Sequence, residues 1–306
     1  VPCIGRFAPS PTGPLHFGSL LAALASYLDI RARNGRWLLR IEDIDPPREQ
    51  PGAADSILYT LDAFGLHWDG PVVYQSQRHD LYHEALQQLI RLGTAYPCTC
   101  SRKQLRARLL SHGYDGHCLR HPPVDTTTAA YRVQHTQTDH QFIDRIQGRR
   151  RYHWSAHQGD FTVFRRDGLF AYQLAVVVDD AEQGITEILR GSDLIDETPH
   201  QNELQRQLGY PQPRYAHIPV ITNPQGQKLS KQNLAPAIDP VERQALLFKA
   251  LRLLGQQPPA EFLAASPTEL LTWARTHWRL DNIPAAMQLT PEGVPRVQPP
   301  DQPGTP

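Results

Sequence analysis

Residues 6–19 read Arg-Phe-Ala-Pro-Ser-Pro-Thr-Gly-Pro-Leu-His-Phe-Gly-Ser. Three prolines and two glycines within this stretch restrict the backbone to a preformed loop. The residues that follow place Leu20, Leu21, Leu24 and Leu28 at helical spacing, with Gly35 as a stop, so the pattern predicts a helix over 15–33. A rigid turn feeding a helix N-terminus directs free backbone N–H groups and the helix dipole at one point, and such a point binds anions.

Working outward, the first hundred residues alternate between strand and helix signals. Strands are expected at 3–8, 36–45 and 72–76, and helices at 52–64 and 79–92. Such alternation argues for an α/β fold with a parallel sheet, in which ligands sit beyond the carboxyl ends of the strands. The opening motif follows the first strand and Glu-Asp-Ile-Asp (42–45) closes the second, so both fall on that edge. From about 96 to 168 the composition shifts to cysteine, histidine and basic residues, which reads as an insertion. The α/β pattern resumes over 169–239, two helical stretches follow within 240–280, and 281–306 holds seven prolines and is expected to be extended or poorly ordered.

The chain has 306 residues, 40% of them apolar, which is enough for a sizeable core. No apolar run reaches the roughly 18 residues of a membrane span and no secretory leader pattern opens the chain, so no membrane partner and a cytoplasmic setting are expected. Its 31 basic residues balance its 31 acidic ones, and a polyanionic partner would have to meet a local patch. Two patches qualify: Arg102 and Lys103 with Arg106 and Arg108, and Arg149-Arg150-Arg151. Either, taken alone, reads equally as a solvated face.

Cys3 stands apart and is expected to be a buried thiol of the first strand. Cys98, Cys100 and Cys118 cluster, which in a cytosolic chain suggests a metal ion more than a disulfide. Composition nominates His112, His117 or His121 as a fourth ligand. Far along the chain, Lys228-Leu229-Ser230-Lys231-Gln232 lies in a Gly/Asn/Pro-rich loop and supplies two cations able to close over phosphates.

His16-Phe17-Gly18 and the lysine motif together resemble the His-x-Gly-His and Lys-Met-Ser-Lys-Ser signatures of class I aminoacyl-tRNA synthetases, with Ser19, Leu229 and Gln232 departing from the consensus. The opening stretch, Leu-Arg-Ile-Glu-Asp-Ile-Asp (39–45), Ala-Tyr-Gln-Leu-Ala-Val-Val-Val-Asp-Asp (171–180) and Leu-Arg-Gly-Ser-Asp-Leu (189–194) are similar to the glutamyl-tRNA synthetase catalytic core, over residues 3–240. The resemblance implies a Rossmann-type parallel sheet, an inserted zinc-bearing subdomain like those that bind the acceptor end of tRNA, and a short helical C-terminal region. It implies a glutamate pocket of Arg6, Ala8, Ser10, Glu42, Tyr172 and Arg190. The two arginines suit bidentate carboxylate binding and Glu42 suits the ammonium group.

The resemblance further implies ATP with Mg²⁺ at His16, Gly18, Lys228 and Lys231, and a structural Zn²⁺ on Cys98, Cys100 and Cys118 with Tyr114, in place of a histidine, as fourth ligand. Only 75 residues follow Lys231, too few for the helical anticodon-reading region of the full synthetase. This shortened pattern resembles the glutamyl-Q tRNA(Asp) synthetase family, which attaches L-glutamate to the queuosine base in the anticodon loop of tRNA(Asp). Leu20-Leu21-Ala22 after the histidine motif points the same way. The other two readings are a minimal synthetase charging a tRNA 3′ end and a noncatalytic RNA-binding relic of the fold.

Overall fold

The computed structural model describes residues 2–108, 114–155, 157–223 and 236–296. The chain opens with β1 (Ile4–Phe7), α1 (Phe17–Arg31), β2 (Arg36–Ile41), α2 (Ala53–Ala63), β3 (Val73–Tyr74) and α3 (His79–Arg91). Each expected element of this stretch is present, with its ends trimmed by at most four residues. The intervening region carries β4 (Ala95–Cys98), α4 (Arg102–Arg108), α5 (His117–Arg120), β5 (Ala130–Val133), β6 (Asp139–Asp144), β7 (Gly148–His153) and β8 (Phe161–Phe164). After it come α6 (Tyr172–Glu182), β9 (Glu187–Gly191), α7 (Thr198–Leu208), β10 (Arg214–Ile218), β11 (Val220–Ile221), α8 (Arg243–Leu253), α9 (Pro267–His277) and β12 (Gln288–Leu289).

The central sheet has five strands in the order β10-β9-β1-β2-β3, all parallel. The chain leaves β1 toward β3 on one side and returns through β9 and β10 on the other, so the order reverses between β1 and β9. In open parallel sheets the ligand crevice lies by such a reversal, beyond the carboxyl ends of the strands. β1 is buried along its whole length. Helix α1 crosses it so closely that a Cβ on Gly5 would lie 2.5 Å from Ile30 Cγ1, which is why a glycine stands inside the strand.

Gly35 closes the end of α1 as expected, its N–H donating to the Ile30 carbonyl at 3.0 Å, and it meets a second need as well. Asn34 takes the left-handed conformation at φ 56°, while Gly35 passes so near β1 that an added Cβ would lie 2.4 Å from the Cys3 carbonyl oxygen. Cys3 itself is half-buried and sits one residue before the strand, not within it as expected.

The inserted region forms a three-stranded antiparallel sheet, β4-β5-β8, and a separate β6–β7 hairpin. Helices α8 and α9 cover α1 and share its hydrophobic cluster through Leu247, Phe248, Leu251, Leu270 and Ala274. A capping box of Ser266 and Glu269 starts α9. Part of the proline-rich end is ordered: Val220 and Ile221 pair in parallel with Gln288 and Leu289. Among the described residues no helix is long and apolar enough to cross a membrane.

Candidate active site

The opening loop is braced at the carboxyl edge of the sheet. The Glu42 N–H donates to the Pro9 carbonyl at 3.0 Å, and Gln50 N–H to Pro11 at 3.0 Å, so the loop is tied to the end of β2 before Ser10 and to the segment leading into α2 after it. His16 is the N-cap of α1, its Nδ1 accepting from the Ser19 N–H at 3.3 Å. Acting as acceptor there, Nδ1 leaves the proton of the neutral ring on Nε2. His16 also bridges to Ala237, and the Ile238 N–H donates to Leu15 at 3.0 Å. Lys228 and Lys231 lie outside the described residues, but residues 236–238, which follow them, return to the histidine motif.

Two cavities flank this loop. The larger, about 250 Å³, is lined by the buried Glu42, the half-buried Tyr172 and the exposed Ser10, together with Asp45, Arg48, Glu49 and Arg165. The smaller, about 180 Å³, is lined by His16, Phe17, Gly18, Ile221, Leu246 and Lys249. Lys249 lies 5.2 Å from the centre of the Phe17 ring. Nothing in the sequence hinted at this cation, because α8 reads as an ordinary amphipathic helix. The lining residues Asp45, Arg48 and Glu49 adjoin the Glu-Asp-Ile-Asp motif, and that adjacency was the available signal.

Behind the larger cavity lies a balanced set of buried charges. Arg6 on β1 donates to Asp180 from Nε at 3.1 Å and from Nη2 at 3.5 Å. Arg40, on β2 with no exposed surface, reaches Asp180 at 2.9 Å, Gln183 at 2.6 Å and Glu42 at 3.4 Å. Asp179 accepts from Gln75, Arg78 and Tyr82 at 2.8, 2.6 and 2.8 Å. Three guanidinium groups thus face three carboxylates, which is the condition under which such charges tolerate burial. Burial pushes the Glu42 carboxyl up to about 7, against the pull of Arg40 and Arg6.

Arg190, on β9, approaches the cavity through Tyr172: Nη1 donates to the Tyr172 hydroxyl at 3.3 Å. Its Nη2 donates to the Leu194 carbonyl at 3.1 Å and to Thr198 Oγ1 at 2.9 Å, and Nε to His217 Nε2 at 2.9 Å. Four of its five N–H groups are therefore engaged. A bidentate grip on a carboxylate was expected of both arginines; the end-on fork remains available on Arg6, whereas Arg190 retains a single N–H. Neither Arg6 nor Arg190 lines the cavity, being 4% and 5% exposed, and Ala8 is half-buried at the start of the loop after β1.

In the inserted region the sulfurs of Cys98, Cys100 and Cys118 lie within 4.8 Å of one another, with Cys100 and Cys118 at 3.4 Å. The Tyr114 hydroxyl lies 3.6 Å from Cys98 Sγ and 3.9 Å from Cys100 Sγ. Four ligands at tetrahedral zinc, with Zn–S near 2.3 Å, stand about 3.5–3.8 Å apart, so this donor set fits such an ion. Arg132 sits 4.1 Å over the Tyr114 ring and Arg108 donates to Cys100 Sγ at 3.4 Å, while burial pushes the Cys100 thiol up to about 11 and, against burial, the hydrogen bond with Tyr114 helps draw Cys118 down to about 7. Of the histidines considered as the fourth ligand, His117 and His121 stack on each other at 4.9 Å, and His112 lies outside the described residues.

The parallel sheet, its reversal and the capped histidine define the class I tRNA synthetase catalytic fold, and the family model for the catalytic domain of class I tRNA synthetases (E and Q) matches residues 3–272. A glutamyl-Q tRNA(Asp) synthetase of Ectopseudomonas mendocina is 54% identical over 94% of this chain and 96% of its own length, and one of Thiobacillus denitrificans 55% identical over 92% and 95%. The chain belongs to the glutamyl-Q tRNA(Asp) synthetase family within that class, and is a ligase. Among solved structures, a glutamate tRNA ligase from Elizabethkingia meningosepticum, in complex with its amino acid, shares the fold with a TM-score of 0.76 at 24% identity. The match covers 94% of this chain and 66% of that one.

Proposed function

We propose that this ligase activates L-glutamate with ATP and transfers the glutamyl group to the queuosine of tRNA(Asp). The observation that carries the reading is the identity of more than half, along nearly the whole of both chains, to proteins of that name. A carboxylate oxygen of glutamate attacks the α-phosphorus of ATP, the bond to pyrophosphate breaks, and glutamyl adenylate forms. A hydroxyl of the queuosine cyclopentene diol then attacks the acyl carbon, forming the ester and releasing AMP. The diol resembles the 2′,3′ diol of a terminal ribose, so one active site serves either geometry.

In this scheme the larger cavity takes glutamate. Glu42 accepts from its ammonium group, Arg6 and Arg190 hold carboxylate, Ser10 and Tyr172 add hydroxyls, and Ala8 leaves room beside them. The smaller cavity takes the adenosine end of ATP. His16 faces the phosphates from the start of α1, Gly18 lets the base lie against backbone, and Lys228 and Lys231 neutralise the leaving pyrophosphate. The enzyme offers no covalent nucleophile; positioning and charge neutralisation lower the barrier. Mg²⁺ bound with ATP spreads the phosphate charge. Zn²⁺ at Cys98, Cys100, Tyr114 and Cys118 fills a closed site and so holds the inserted region in shape. A tRNA substrate accords with a cytoplasmic setting.

Labelled glutamate supplied with ATP and tRNA(Asp), with or without queuosine, tests the reading. Incorporation is expected only with queuosine, and it persists when the 3′ terminus has been oxidised under conditions that protect the base. Equal incorporation into both tRNAs would assign the chain to 3′-end charging instead.

A further inference from the structure

Behind Arg190 a chain of side chains runs out of the central sheet and into the inserted region. Arg190 Nε donates to His217 Nε2 at 2.9 Å, and His217 Nδ1 faces Asp144 Oδ2 at 2.6 Å. Asp144 ends β6, and its Oδ1 accepts the backbone N–H groups of Ile146, Gln147 and His217 at 2.9, 2.8 and 3.2 Å. The hairpin turn is itself anchored. Arg145 donates to Asp29 at 2.8 and 3.0 Å and to Glu187 at 3.0 Å, and Gln147 Nε2 reaches the carbonyls of His217 and Ala286, each at 2.9 Å. His217 has no exposed surface and Asp144 is 2% exposed.

These contacts permit one form of the imidazole. Arg190 Nε has only a proton to offer, so His217 Nε2 must present a lone pair; Asp144 offers only lone pairs, so Nδ1 must carry the proton. We propose that Asp144 and His217 are positioning residues for glutamate binding. By fixing this tautomer they hold Arg190 through Nε, and so keep Nη1 beside Tyr172 at the wall of the larger cavity. The inference rests on Arg190 being a glutamate-binding residue. It also makes the base of the β6–β7 hairpin part of the amino-acid pocket, although Asp144 lies 73 residues from His217 in sequence.

Asp144→Asn is the sharpest test. The amide oxygen still accepts the three backbone N–H groups, while the new NH₂ opposite Nδ1 inverts the tautomer and sets a ring N–H against Arg190 Nε–H. In glutamate- and ATP-dependent pyrophosphate exchange, KM for glutamate should rise about tenfold or more with KM for ATP nearly unchanged, while the two buried N–H groups left facing each other lower the melting temperature by a few degrees. His217→Gln puts an acceptor where Nε2 stood and should remain close to the parent enzyme. His217→Asn keeps only the Asp144 side and should behave as Asp144→Asn does. Nitrogen-15 NMR of the ring should show Nδ1–H in the parent and Nε2–H in Asp144→Asn. An unchanged tautomer with unchanged KM for glutamate overturns the proposal, as does a joint rise of both KM values, which marks a merely structural role. If the parent enzyme shows no glutamate-dependent exchange, the functional reading fails, and the NMR result still decides whether the relay exists.

Discussion

The arginines behind the pocket and those of strand β7 carry the same charge in opposite settings. Arg6, Arg40 and Arg190 are nearly or wholly buried, and each is held by partners at fixed distances. Arg149 and Arg151 are exposed, and Arg150 is half-buried with the Met287 sulfur beside it, at 4.0 Å. Buried cations held by fixed partners, carboxylates for Arg6 and Arg40 and neutral groups for Arg190, are oriented before any ligand arrives, which suits a small ligand whose charges must be matched atom by atom. Exposed cations are screened by salt and adaptable, which suits a polyanion met over a wide surface. The chain's balanced net charge conceals this division of labour.

If the contrast is sound, removing a charge from the buried set should cost far more than removing one from the hairpin. Arg40→Met leaves Asp180 and Glu42 short of a cation inside the fold. It should lower stability by about 3–5 kcal/mol, read as a fall in the denaturation midpoint. A surface-like effect below about 1 kcal/mol would break the comparison.

Glu42 sharpens it on the side of function. Its carboxyl, pushed up to about 7 by burial, is uncharged below that pH and then offers no anion to the substrate ammonium group. KM for glutamate should therefore climb about tenfold for each pH unit below 7 and level off above it, while KM for ATP stays flat. In Glu42→Gln the slope should vanish and KM stay high throughout.

The smallest effect belongs to the hairpin. Arg149→Gln with Arg151→Gln should weaken tRNA binding by a few fold and reduce the slope of log affinity against log salt by about 0.7–0.9 for each phosphate no longer neutralised. Glutamate activation without tRNA should be untouched.

The sequence revealed the elements better than the interactions between them. Alternating apolar runs located β1, α1, β2, α2 and α3 to within a few residues, because one periodic stretch carries its own signal. The motif loop was legible for the same reason: its prolines and glycines act locally. What stayed hidden depends on partners far away in the chain. Nothing near Arg40 announces Asp180, 140 residues on, nor does the turn at Asp144 announce His217. The engagement of Arg190 by His217, Leu194 and Thr198 was invisible for that reason, and so was its inability to offer the expected bidentate grip. Gly35 was legible as a helix stop, but its second need, room for Cys3, is an approach between neighbouring segments that no local pattern records.

The order of the central sheet has a consequence for how the molecule comes together. β1 is made well before one of its neighbours, β9, which begins only at Glu187, and Arg6 waits 174 residues for Asp180. Until then an arginine side chain and one hydrogen-bonding edge of the middle strand lack their final partners, so an N-terminal half released early is prone to aggregate. Closing loops of that length is entropically costly and must precede the burial that rewards it, so folding should be slow for a chain of this size. The same pairing that orients the pocket makes its assembly one of the last steps in folding.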